Sequence, residues 1–186
     1  MESESRKGSY YMINALKENQ QDESSQHISW GERENAHMAL TFVILGQIFM
    51  SNGKVTDENL FKCLRLLGIY QEEEKQNKRG ANRTQDLTGG ESVDPELLAL
   101  FDGDIKKFVN DVLVTKQHYL KREKIDNNDP EVEVFEYSWG ERAHLEVKES
   151  DVLKMVCELY DCEPRMFKEQ YDKVVAEEGE EVFANE

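Results

Sequence analysis

The stretch 104–139, DIKKFVNDVLVTKQHYLKREKIDNNDPEVEVFEYSW, decides the fold. Its first part sets Ile105, Phe108, Val109, Val112 and Leu113 at the i, i+3, i+4, i+7, i+8 spacing of one helix face, with Asp104 in place as a cap. Then the period changes. Tyr119 to Ile125 reads as extended, Asp126-Asn127-Asn128-Asp129-Pro130 is a strong turn signal, and Val132 to Trp139 is rich in β-branched and aromatic residues at near-alternating spacing. The pattern predicts a helix running into a β-hairpin.

Upstream, Ala36 to Met50 is apolar nearly all round, as a central helix must be, and Ser51-Asn52-Gly53 stops it. Thr56 or Asp57 caps a second helix carrying Leu60, Phe61, Leu64 and Leu67, which Gly68 ends. Residues 71–95 hold too few large apolar side chains to offset the entropy of ordering them and read as a disordered insertion, followed by a short helical turn from Pro95 to Phe101. Downstream, Ser150 is expected to cap a fourth helix, and Pro164 to open a fifth bearing Phe167, Tyr171 and Val174. Helix, helix, helix, hairpin is the order of a winged helix. The expected fold class is therefore mainly α with a small β-hairpin, a winged helix with extra C-terminal helices. The expected division is a short apolar N-terminal piece within 1–16 (GSYYMINAL, 8–16), a polar linker 17–35, the domain 36–176 interrupted by 71–95, and a frayed acidic tail 177–186.

The chain has 186 residues, enough for one real core and too few for two large domains. A net charge of −16 argues against a surface that grips nucleic acid all over, while leaving room for a local basic patch. Cys63, Cys157 and Cys162 are odd in number and form no CxxC, so neither a zinc site nor a disulfide framework is expected, and buried thiols in a reducing compartment are the plain reading. The N-terminus MESESRKGSYY has no apolar signal region, and the longest apolar run, 39–50, is too short to span a bilayer. No membrane association is expected.

No catalytic pattern emerges. Gly53-Lys54 lacks the earlier glycine and following hydroxyl of a phosphate loop, His27, His37, His118 and His144 fall at no metal-ligand spacing, and no serine sits in a GxSxG elbow. The expectation is a non-enzyme with no cofactor, no metal and no small-molecule substrate. Lys106, Lys107, Lys116, Lys121, Arg122 and Lys124 lie on the helix and first hairpin strand, where winged helices usually dock on duplex DNA. A weak DNA contact and a solvated face both remain open for them. A groove between helices is a second mode, taking the apolar side of a partner helix. Phe61, Leu64, Leu67 and Tyr70 could line it; core is the preferred reading for Leu60 and Leu64, while both readings stay open for Phe61 and Tyr70. Phe61, Tyr70, Phe135 and Tyr137 are the candidates for partner contact. Finally, SWGER occurs at 29–33 and again at 138–142, each copy soon followed by Ala-His. The repeat suggests a small duplication with no evident function.

The segments ALTFVILGQIFMSNGKVTDENLFKCLRLLGIY (39–70) and EVFEYSWGERAHLEVKESDVLKMVCELYDCEPRMF (133–167) resemble the second half of the MAGE (melanoma-antigen) homology domain, and 112–140 resembles the stretch between these blocks. The resemblance covers most of 36–175. Within the family it is nearest the non-SMC-element branch of the five-six SMC (structural maintenance of chromosomes) complex. It implies tandem winged helices, with 1–16 as the remnant of the first, whose preceding half would hold the family's paired-leucine ligase-binding element. It further implies partnership with a kleisin subunit and a RING-type ubiquitin-ligase subunit, loading on double-stranded DNA, and a role in recombinational DNA repair in the nucleus, with the cytoplasm as a second location. Two other readings compete: a RING-ligase adaptor working outside any SMC complex, and a lone winged-helix DNA binder, which the acidic charge disfavours.

Overall fold

The computed structural model describes residues 30–71, 93–126 and 133–183. The first helix, α1 (Glu32–Met50), is the hub. Leu40, Ile44, Leu45, Ile48 and Phe49 are all buried along it, and each fully buried aliphatic side chain of this kind contributes about 1.5–3 kcal/mol. Gly46 lets Met155 approach, since a Cβ there would lie 3.4 Å from the Met155 methyl. Asn52 and Gly53 take positive φ (59° and 88°) and turn the chain into β1 (Lys54–Thr56).

Thr56 caps α2 (Asp57–Leu66), accepting from the Asn59 N–H at 3.4 Å. After α2 the chain reaches α3 (Pro95–Leu100), whose cap Asp94 accepts from the Glu96 N–H at 2.9 Å. Ile105–Lys107 forms an α-turn that continues as a π-wound segment, Phe108–Lys116; together they make α4. Asp104 caps it, accepting from the Lys107 N–H at 2.9 Å. Most of the expected apolar stripe is the buried face: Ile105, Phe108, Val109 and Leu113 are all at most 4% exposed, while Val112 is only half-buried.

β2 (Leu120–Ile125) and β3 (Val134–Trp139) form the expected hairpin, in register Leu120 with Trp139 through Ile125 with Val134. The sheet has a third member. β1 pairs with the other edge of β3, Val55 opposite Tyr137, giving the order β1-β3-β2, all antiparallel. The domain is thus a winged helix, mainly helical with a small antiparallel sheet. α5 (Glu141–Glu146), α6 (Glu149–Tyr160), a 3₁₀ turn (Pro164–Met166), α7 (Lys168–Glu178) and a last 3₁₀ turn (Glu180–Phe183) complete it.

Several expectations change. Residues 32–35, read as linker, open α1. Ser150 does not cap the fourth helix: it lies inside α6, 2% exposed, and its N–H and hydroxyl donate to the Glu178 carboxylate at 3.1 and 2.6 Å. A carboxylate brought over from α7 therefore does the capping that a local side chain was expected to do. Pro164 opens the 3₁₀ turn and not α7, which starts at Lys168. The acidic tail is ordered through Phe183, whose ring sits 5.2 Å from that of Tyr171. Of the stretch read as disordered, Val93 is 7% exposed and Asp94 caps α3; residues 72–92 lie outside the described residues, as do 1–29 with the first-domain remnant. The three cysteines are free thiols. Among the described residues no helix is long and apolar enough to cross a membrane.

Candidate docking surfaces

The wing places its cations in two ways. On β2, an edge strand of the sheet, Leu120 is buried while Lys121, Arg122, Glu123 and Lys124 are all exposed, with no alternation between them. Lys121 pairs with Glu123 and Lys124 with Glu133, both at 2.8 Å, and Lys54 of β1 reaches Glu136 at 2.8 Å. Arg122 is placed differently. Its guanidinium lies 3.6 Å above the Phe135 ring and 5.9 Å from that of Tyr137, covering the aromatic end of β3. Lys107 and Lys116 on α4 are exposed, and so is Lys106, whose ammonium lies 5.3 Å above the Phe61 ring. The six cations predicted for DNA thus fall on α4 and β2, with carboxylates interleaved among those of the wing.

The four aromatic candidates separate by burial. Tyr137 is wholly enclosed, and its hydroxyl donates to Asn110 Oδ1 of α4 at 2.8 Å. It has no surface to offer a partner in this conformation, and burial raises its phenol pKa. Phe61 is 7% exposed and stacks at 5.0 Å on Tyr70. Tyr70 is half-buried, held by the end of α2, where the N–H groups of Ile69 and Tyr70 both donate to the Leu64 carbonyl. Phe135 is half-buried beneath Arg122. Sequence reasoning missed Leu66, 73% exposed; Leu67, set at helical spacing with Leu60 and Leu64 and also offered as groove-lining, is 54% exposed past the end of α2. The edge formed by Leu66, Leu67 and Tyr70 is apolar and open, as a docking site for a partner helix must be.

A second surface lies between α1 and α5. A groove of about 410 Å³ is lined by Trp30, His37, Met38, Phe42, Tyr119 and Arg142, among others. Trp30 and Met38 are 56% and 46% exposed. On its rim the Tyr119 hydroxyl donates to Glu146, Arg142 pairs with the same carboxylate at 2.8 Å, and the Arg142 guanidinium lies 4.7 Å above the Tyr119 ring. Burial, followed by the bond to Glu146, pushes the Tyr119 phenol up to about 12, against the pull of Arg142. His37 is fixed by its Nε2 contact with the Leu100 carbonyl at 2.8 Å and by the Phe101 and Phe108 rings at 5.2 and 4.5 Å.

The two SWGER copies meet here. In each, the glycine is the extended residue just before a helix, Gly31 for α1 and Gly140 for α5. Their tryptophans differ. Trp139 is 7% exposed and packs at 6.5 Å on Phe49, whereas Trp30 stands open in the groove beside Arg142 of the other copy. Among the described residues no cluster of His, Cys, Asp or Glu could hold a metal ion.

The sequence profile of the MAGE homology domain matches residues 2–150. The chain is 28% identical over 178 residues to the mouse (Mus musculus) "Non-structural maintenance of chromosomes element 3 homolog", covering 96% of this chain and 53% of that protein. The Homo sapiens protein of that description is 27% identical over 178 residues, 96% of this chain and 48% of it. "Melanoma-associated antigen B16" of Rattus norvegicus is 30% identical over 145 residues, 78% of this chain and 33% of that one. A solved chain from an "Nse1-Nse3-Nse4 complex" superposes with a TM-score of 0.57 at 25% identity, over 78% of this chain and 57% of that chain. The chain spans about half the length of the first two of these relatives.

Proposed function

This chain belongs to the MAGE homology domain family, and from that membership we propose that it is a non-catalytic subunit of a five-six-type SMC complex, acting in DNA repair and recombination in the nucleus. The observation that carries the proposal is a coincidence of two comparisons: the same description recurs in the mouse and human relatives aligned over 96% of the chain, and a chain from an Nse1-Nse3-Nse4 complex has the same fold. Its partners on this reading are the kleisin and RING-type subunits. The open Leu66–Leu67–Tyr70 edge, with Phe61 beneath it, is suited to the apolar side of a kleisin helix, and Lys106 beside it to an acidic residue on that helix. The cations of α4 and β2 would touch duplex DNA weakly, by neutralising phosphates.

The 30% identity to a melanoma-associated antigen supports a second reading, an adaptor or regulator of a RING ubiquitin ligase outside any SMC complex. Affinity purification of the chain from native extract separates the two. Recovery of kleisin and SMC subunits, abolished by Leu66→Glu/Leu67→Glu, is the expected result. A RING ligase recovered without SMC subunits would replace the first reading with the second.

A further inference from the structure

We propose that the cavity between α7 and the two 3₁₀ turns that flank it receives an arginine side chain from a basic, apolar-anchored segment of another protein, and that Arg165 holds that place in the free chain. The site lies past residue 150, beyond the stretch that the family profile matches. The proposal is therefore independent of which complex the protein joins.

The cavity holds about 510 Å³, in the range of sites that bury a ligand group. Its wall is aromatic and its rim is acidic. The Tyr171 and Phe183 rings lie 5.2 Å apart, and Glu163, Glu180 and Glu181 line the cavity with them. Aromatic faces beside carboxylates select a cation, and they favour a guanidinium, which stacks and can pair through two N–H groups at once. The chain's own cations already follow this preference. Arg165 lies 5.9 Å from the Tyr171 ring, and Lys154 lies 6.0 Å from that of Phe183.

Arg165 is held loosely. It reaches Glu180 only at 3.5 Å, with both side chains 69% exposed, whereas Arg33 with Asp102 and Lys173 with Glu149 close to 2.6 Å. An exposed pair of that length is worth little and gives way to a better-anchored guanidinium. The anchor is at hand. Leu159, Tyr160 and Met166 each expose more than 70% of their surface, Met166 is next to Arg165 in the chain, and the Tyr160 ring stands 6.1 Å from that of Phe167. Charge selects the occupant. Residues 158–183 carry nine carboxylates against three cations, Arg165, Lys168 and Lys173. Like charge disfavours both DNA and a second copy of a chain at −16, and a basic segment is the complementary partner.

The test uses a fluorescein-labelled synthetic peptide of arginine, leucine and alanine, with a counterpart carrying glutamate for arginine, titrated by anisotropy into the full chain at low salt. The arginine peptide should bind and the glutamate peptide should not. Glu163→Gln/Glu181→Gln should weaken binding about fivefold or more, against less than about twofold for Glu96→Gln/Asp111→Asn, which removes equal charge from exposed positions elsewhere. Arg165→Ala should tighten binding about threefold by vacating the cavity, whereas Lys168→Ala, an equal loss of charge outside it, should change binding less. No binding, or equal effects within either comparison, would reduce the site to diffuse acidity and overturn the proposal. Dimers in sedimentation that Tyr160→Ser removes would give the surface to a second copy and also overturn it. A photo-crosslinking residue at Met166 in the otherwise unchanged chain gives a reading that does not depend on the folding of the charge variants. Cross-links to the arginine peptide are expected, and their absence would refute the assignment.

Discussion

The indole N–H of Trp139 donates to the main-chain carbonyl of Leu45 at 3.0 Å, fastening the end of β3 to the middle of α1. The bond is buried, and the ring fills space against Phe49. Trp139→Phe keeps an aromatic ring but abandons the bond and part of the volume. We expect destabilisation by about 1–3 kcal/mol in denaturant unfolding, the sum of one buried hydrogen bond and a small cavity.

The next residue tests what the repeated motif has in common and what it does not. Gly31 and Gly140 occupy the same position before a helix, so alanine at either forgoes a cap preference of about 0.5–1 kcal/mol. A Cβ on Gly31 meets only the flexible end of Glu34. On Gly140 it collides with the His118 carbonyl, lying 2.9 Å from its carbon and 3.0 Å from the Leu120 nitrogen, all of it backbone. Gly140→Ala should therefore be the more destabilising by about 1–3 kcal/mol, read as the difference in unfolding free energy between the two variants.

Tyr119 provides a pH signature. Its phenol is raised from the ordinary 10 to about 12 in the folded chain, by burial first and by Glu146 second. A folded-state value above the unfolded one means that stability from this group is complete below pH 10 and is lost as pH climbs through 12, because the unfolded chain releases the proton first. Ultraviolet titration of phenolate should show a late-titrating tyrosine near pH 12 that Tyr119→Phe removes. A parent titration without that late step would contradict the geometry of the rim.

The wing gives a test for DNA. Lys121→Glu/Arg122→Glu should weaken duplex binding at low salt and reduce the slope of log affinity against log salt by about one for each phosphate no longer neutralised. Unchanged affinity and slope would leave Lys121 and Arg122 as a solvated face, consistent with the carboxylates interleaved among them.

The parts of the fold that follow a local period were legible in the sequence. The stripe from Ile105 to Leu113 and the strand ending at Trp139 both reappear in the structure, because local spacing sets which face is apolar, whereas the turn read at 126–130 lies outside the described residues beyond Asp126. What depended on distant chain was not legible. β1 is three residues long with Val55 as its buried member, and it is a strand because β3 supplies an edge. Ser150 has the composition of a cap, yet its partner is Glu178 on α7. The π winding of α4 was not legible either: its wider turn departs from the 3.6-residue period used to read the stripe, and Val112, set in that stripe, is only half-buried where Leu113 is fully so. For the docking surfaces, alternation already places Phe135, Tyr137 and Trp139 on one face, which was the available signal that Tyr137 points inward. The groove beside Trp30 joins residues far apart in the chain; its only trace in the sequence was the repeated SWGER.

The third strand also has a consequence for how the chain reaches this state. Lys54 and Glu136, joined across β1 and β3, are separated by 82 residues, whereas Lys124 and Glu133, which pair across β2 and the start of the returning strand, are separated by 9. The hairpin can close within microseconds, but bringing β1 onto it means closing a long loop before any pairing offsets the entropy cost. The short strand should be among the last pieces to assemble and among the first to detach. Amide exchange at Val55 would then run ahead of exchange at Tyr137, even though the two residues face each other in one sheet.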